Sequence, residues 1–261
     1  MERIYLAEIN NLRKQTGQVL FDGLQAFYPS SIGNMVLPTA TTLKDHINKT
    51  GKVEENGFSF VVAADPKGLN ALVGYDAMAT VKSKISNHNI GFILNGLTPE
   101  FQNGLKNETV FDASQAYKTN KRGDVLFINL RSTKDGIRAA NSEQWLWLTN
   151  DLNTKPETNI VLYLPTPIFG SNGFKDTLEA NLLHTTLVEA KDLGKNIFVV
   201  HGGSKTGSDL KDGIRYIELN TSELKSADNI YDLSLVEFVV NGSEISYELN
   251  SIFTKPNVKV K

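Results

Sequence analysis

Cysteine is absent from all 261 residues. That absence removes a disulfide framework, a thiolate zinc site, an iron–sulfur cluster and a cysteine nucleophile from the chemistry open to the chain. A surplus of either charge is missing too, since 27 Lys and Arg stand against 29 Asp and Glu for a formal charge of -2. With no run of basic residues, the electrostatic footprint of a nucleic-acid binder is lacking. No stretch approaches the roughly 20 apolar residues of a membrane span. Glu2 and Arg3 follow Met1 with no hydrophobic signal core, so no signal peptide is expected in this chain. Histidine occurs four times, which leaves few imidazoles for any site. What is there is ordinary globular composition, 40% hydrophobic and 21% charged, with length enough for one large domain or a medium one with an appendage.

Two regions read differently. In residues 1–55, Ile4, Leu6, Ile9 and Leu12, then Val19, Leu20, Leu24 and Phe27, form an interrupted helical stripe that stops before Pro29. Thr41 or Thr42 then caps a short helix through His46 and Ile47 that ends at Gly51. About 55 residues of this kind make a poor independent core, so the expectation is a docking, linking or oligomerising segment. Residues 56–261 alternate strands and helices. Apolar runs at Phe58–Ala64, Ile90–Leu94, Val125–Leu130, Ile160–Leu164 and Asn196–Val200 predict buried strands. Helical spacing covers Tyr75–Ile85, Ser142–Leu152 and Leu178–Leu193. Ile214–Leu219, Leu235–Val240 and Ile245–Leu249 complete the strands, the last two joined at Asn241–Gly242, a strong hairpin signal. Such alternation predicts an α/β layered sandwich covered on both sides.

The order of four features is specific: Ser142-Glu143-Gln144-Trp145-Leu146-Trp147-Leu148 after the strand from Val125; Ile160 to Leu164 followed by Pro165-Thr166-Pro167; Ile197-Phe198-Val199-Val200-His201-Gly202-Gly203 after a long helix; and Gly213-Ile214-Arg215-Tyr216-Ile217. Over about residues 57–253 this order resembles the calcineurin-like metallophosphoesterase family. The C-terminal half also resembles the phosphoesterase-like region found beside phosphodiester glycosidase modules in exported clostridial-type proteins. The resemblance implies a metallophosphoesterase-like α/β/β/α sandwich with the small helical segment in front of it. In that family two cations lie roughly 3.5–4 Å apart and need six or seven oxygen and nitrogen donors at strand ends. Matched motif by motif, most donors are missing here. Asp-x-His falls at Asp65-Pro66-Lys67, with an ammonium where an imidazole should be. Gly-Asp falls at Asn95-Gly96, without its carboxylate. No Asn-His pair lies between Thr109 and Lys121, where Asp112 is the carboxylate near the strand end. The histidine after the next strand is replaced by Leu164-Pro165, and Gly-His-x-His is reduced to His201 before Gly202 and Gly203. An ammonium beside a dication is repulsive, so the resemblance implies a fold whose metal site has decayed, with Asp65, Lys67, Asn95, Asp112 and His201 as its vestigial cleft and no metal, cofactor or catalytic residue expected.

Other readings compete with that one. A metal-dependent phosphodiesterase with an atypical site would use Asp65, Asp112 and His201. A glycan-binding module would use the long loop at the cleft, with Thr166, Phe169, Asn172 and Phe174 as contacts, and with Trp147 joining Phe169 and Phe174 as an aromatic platform. Lys67 together with Arg131 and Arg138 would hold an anion in place of metals. The run Gly202-Gly203-Ser204-Lys205-Thr206-Gly207-Ser208 has the wrong order for a phosphate loop and reads as a surface loop. The function expected is a non-catalytic binding or structural module with a protein or glycan partner. An extracellular surface or a virion is the expected setting, since a cysteine-free exported bacterial or particle protein fits the composition.

Overall fold

The computed structural model describes residues 51–105, 109–112, 114–225 and 227–254. The helices expected before Gly51 lie outside the described residues. From Phe58 the chain runs β1 (Phe58–Ala63), α1 (Leu69–Ser86), β2 (Ile90–Ile93), α2 (Pro99–Gln102), β3 (Thr109–Asp112), β4 (Lys118–Arg122), β5 (Val125–Asn129), α3 (Gln144–Thr154), β6 (Asn159–Leu164), α4 (Thr177–Asp192), β7 (Asn196–Gly203), β8 (Gly207–Lys211), β9 (Ile214–Asn220), a 3-10 turn (Ala227–Asp232), β10 (Ser234–Asn241) and β11 (Glu244–Ser251).

The strands form two mixed sheets, one in the order β11-β10-β1-β2-β3 and one in the order β4-β5-β6-β7-β9-β8. In the first, β1, β2 and β3 are parallel and β10 returns antiparallel to β1. In the second, β5, β6, β7 and β9 are parallel, with β4 and β8 antiparallel at the edges. Central strands such as β1 and β6 are buried at every position, which is why they read as continuous apolar runs rather than as alternation.

Three clusters set the layers. Phe60, Phe92 and Phe238 of the first sheet meet Phe127, Tyr163 and Phe198 of the second in the space between the sheets. There Phe60 stacks on Phe238 at 4.5 Å and meets Phe127 edge-on at 4.9 Å, geometries that add to the area buried. Met78, Val81 and Ile85 of α1 cover the outside of the first sheet against Val61, Ile93 and Leu235. Leu148 and Leu152 of α3, with Leu183 and Leu187 of α4, cover the outside of the second against Ile128, Leu162 and Val199. The described residues are therefore the expected α/β/β/α sandwich.

The structure also departs from the sequence reading. Helix α1 begins at Leu69 rather than Tyr75. The run from Gly202 to Ser208 is not a surface loop, because Gly202 and Gly203 end β7 while Gly207 and Ser208 begin β8. Edge strands β4 and β8 are polar, reading KTNKR and GSDLK, so they carry no apolar signal, and charge at an edge discourages pairing with another chain. The β8–β9 hairpin turns on Asp212 and Gly213, with φ of 51° and 81°, the geometry that favours an Asp-Gly pair.

Candidate functional site

Because β1, β2 and β3 are parallel, with Ala63 beside Ile93 and Ile93 beside Asp112, their carboxyl ends bring Asp65, Lys67, Asn95 and Asp112 together. The contacts there are internal. The Asp65 N–H donates to Asn95 Oδ1 at 2.6 Å, and Asn95 Nδ2 donates back to the Asp65 carbonyl at 2.9 Å. Only a carboxamide makes both bonds, since a carboxylate would set its lone pairs against that carbonyl. The Thr98 N–H donates to Asp65 Oδ2 at 2.7 Å, and Thr98 in turn caps α2 by accepting from the Phe101 N–H. Asp112 accepts from the Leu97 N–H through Oδ2, and from the N–H and hydroxyl of Ser114 through Oδ1. The Lys67 ammonium donates to the Asn95 carbonyl at 2.7 Å.

These residues do not fit a two-metal centre. Both carboxylates are accepting from backbone amides, the Asn95 amide is paired at both ends, and a tethered ammonium repels a dication. Among the described residues, no group of three or more His, Asp or Glu side chains could hold a metal ion.

Burial pushes the Asp65 carboxyl above its ordinary value of 3.8, and the bond from Thr98 only partly offsets this. A raised folded pKa gives a stability contribution that is full at low pH and is lost as pH rises through that pKa. Asp65→Asn retains an oxygen for the Thr98 N–H and removes the charge. Its Tm relative to wild type should therefore climb as pH is raised from about 4 to neutrality. Calorimetry across that range is the measurement, and a difference that stays flat or falls refutes the account.

His201 belongs to the other sheet and to a different face. Along β7, Phe198 and Val200 point between the sheets while Ile197 and Val199 point outward under α3 and α4, so His201 shares the outward parity of Val199. It is buried, and its Nδ1 lies 3.1 Å from the Gly202 carbonyl, which can only accept, so that nitrogen is assigned the proton. Burial holds the imidazole below its ordinary range, against the opposing pull of the Gly202 bond and Glu218. His201 opens on a cavity of about 220 Å³ beside β8 and β9, lined also by Thr206, Ser208, Tyr216 and Glu218. It does not join Asp65 and Asp112.

In the loop after β6, Thr166 is bonded to Ser132, and Asn172 Nδ2 donates to Ser204 Oγ at 3.2 Å. Phe169 is half-buried, edge-on to Tyr216, with the Lys211 ammonium 3.8 Å from its ring centre. Phe174 is 4% exposed and belongs to the core under α4. Trp147 rests on Tyr117 at 5.3 Å. The three aromatics do not share one surface. Arg138 is bonded to Asp176 at 2.7 Å and lies 3.4 Å from Glu179, away from Lys67, and both ring nitrogens of His184 are taken by Tyr216 and Asp212. Sequence reasoning missed Thr98, Ser114 and the cavity beside β8. Thr98-Pro99-Glu100 carried a readable signal, a capping residue with Pro at the first helical position.

No family model matches the chain, and no curated protein matches it significantly. Similarity appears among solved structures. A Streptococcus pneumoniae protein described as a phosphoesterase aligns at 10% identity over 75% of this chain and 90% of its own, with a TM-score of 0.36. A Staphylococcus aureus protein described as a 5′-nucleotidase aligns at 12% identity and a TM-score of 0.43, over 78% of this chain and 56% of its own. Vps29 of Chaetomium thermophilum aligns at 11% identity and a TM-score of 0.36, over 74% of this chain and 96% of its own.

Proposed function

We propose that residues 56–261 form a non-catalytic binding module on a metallophosphoesterase-like sandwich, with residues 1–55 as its docking or oligomerising segment. The observation that carries the reading is the Lys67 ammonium bonded to the Asn95 carbonyl at the strand ends. It fixes a positive charge where the family resemblance calls for a metal-binding imidazole, beside an Asn95 amide already paired with Asp65.

Calorimetric titration of chelator-treated protein with Mn²⁺ and Zn²⁺ tests this. The expected result is no specific site tighter than about 0.1 mM, and turnover of bis(p-nitrophenyl) phosphate at the metal-only background. Two equivalents bound tightly, with turnover lost in Asp65→Ala and His201→Ala, would instead establish a metal-dependent phosphodiesterase.

A further inference from the structure

The cavity on the outer face of the second sheet has the chemistry of a ligand site. His201 is 8% exposed. Its Nδ1–H is committed to the Gly202 carbonyl, so Nε2 keeps its lone pair as an acceptor, and no described residue donates to it. Around it stand the carboxylates of Asp209 and Glu218, the Lys205 ammonium and Tyr216, while the hydroxyls of Thr206 and Ser208 are turned to Ser234 and Tyr247. Glu218 Oε1 is held in place by the N–H groups of Ser204 and Lys205 at 3.0 and 3.2 Å. The Tyr216 hydroxyl is turned to His184 at 2.7 Å, which leaves the ring as apolar wall.

We infer that this cavity binds a neutral, hydroxyl-rich ligand, one sugar ring of a glycan. The inference deepens the binding-module reading and rests on it. Acceptors outnumber free donors at the wall, so the complementary ligand must bring O–H donors. Two carboxylates against one ammonium repel phosphate esters and other anions. A cavity of about 220 Å³ that is open on one side suits a single ring at its floor. The Tyr216 ring offers an apolar surface to the C–H groups of a pyranose. Asn172, bonded to Ser204, ties the loop after β6 to the rim, where further sugar units would continue.

The test is amide NMR of the full chain with D-glucose, D-galactose, D-mannose, N-acetyl-D-glucosamine and myo-inositol, each at about 20 mM, which reaches millimolar dissociation constants. Inorganic phosphate and putrescine are the charged controls. At least one neutral compound should shift amides of residues 202–209 and Glu218 saturably. Gly207→Phe supplies a plug, since a Cβ at Gly207 meets nothing within 4 Å. It should weaken binding at least tenfold while the thermal melt stays within a few degrees of wild type. His201→Phe, which lacks the acceptor, should weaken it as well. Silence toward every neutral compound, shifts that survive Gly207→Phe, or a response to phosphate or putrescine alone overturns the inference. Silence together with no metal uptake sinks the cavity and leaves the module reading standing. Metal uptake with turnover sinks the module reading, and the sugar titration still decides the cavity.

Discussion

Glu179→Ala is expected to lower the unfolding free energy by about 3–5 kcal/mol. Glu179 is 1% exposed. Its Oε1 accepts from the Arg138 N–H and from Trp145 Nε1, each at 2.9 Å, and lies 3.4 Å from Arg138 Nε. Its Oε2 fills the space that a side chain at residue 136 would need: a Cβ built on Gly136, whose φ is +98°, would fall 1.8 Å from it. One carboxylate thus joins α4, α3 and the loop after β5. Removing it takes the shared acceptor from an indole N–H and a backbone N–H, both part-buried, and each group left unsatisfied costs about 1–3 kcal/mol. At roughly 2–4 °C per kcal/mol for a fold of this size, Tm should fall by about 6–20 °C. Glu179→Gln, which keeps an acceptor oxygen in nearly the same volume, should lose less than half as much. Urea unfolding of both variants is the measurement, and a loss under about 1 kcal/mol for the Ala variant would mean that the loop after β5 is held by something else.

The sheet frame was readable because its central strands are buried on both faces. β1, β6 and β7 reach solvent nowhere along their middles, and only apolar runs satisfy that. The same property hid the orientation of His201. Where a strand alternates, parity tells which face a residue takes, but β7 is apolar from Ile197 to Val200, so the sequence offers no period-2 signal to place the next residue inward or outward. The cluster at the ends of β1, β2 and β3 was readable in its members and not in its wiring. Parallel strands bring Asp65, Asn95 and Asp112 together by topology alone, whereas the pairing of the Asn95 amide with the Asp65 backbone depends on angles that no spacing encodes. Phe174 reads as a loop contact because the turn-forming Gly170 and Gly173 lie just before it. Its burial follows from the loop folding back, with the Phe174 N–H donating to the Ile168 carbonyl at 3.2 Å.

These differences move the chemically open surface. At the ends of the first sheet, the polar groups named above satisfy one another. On the second sheet, β8 extends the outer face beyond α4, and His201, Asp209 and Glu218 line a cavity there. The polar concavity is separate from the strand ends of the first sheet, because the edge strand β8 that forms it is not part of the between-sheet core.

Gly202→Val is expected to destabilise the fold by about 3 kcal/mol or more, while Gly203→Ala should lose only about 1–2 kcal/mol. A Cβ at Gly202 would lie 2.4 Å from the Pro165 carbonyl oxygen and within 2.9 Å of the Thr221 side chain. The first obstacle is backbone at the end of β6, which pairs with β7 along its length, so relief requires the sheet to open. A Cβ at Gly203 would fall 2.0 Å from Glu218 Oε1, the end of a flexible side chain. Glu218 can swing aside, and the loss is then the acceptor it provides to the Ser204 and Lys205 N–H groups. The two glycines are there for close packing, one against a strand and one around a carboxylate. A phosphate loop would use them differently, to let an anion approach backbone amides, and both variants would then keep their stability and lose only anion binding. Denaturation curves separate the two accounts: unequal losses in the stated order support packing, and two unchanged curves would return the Gly202–Ser208 run to the phosphate reading.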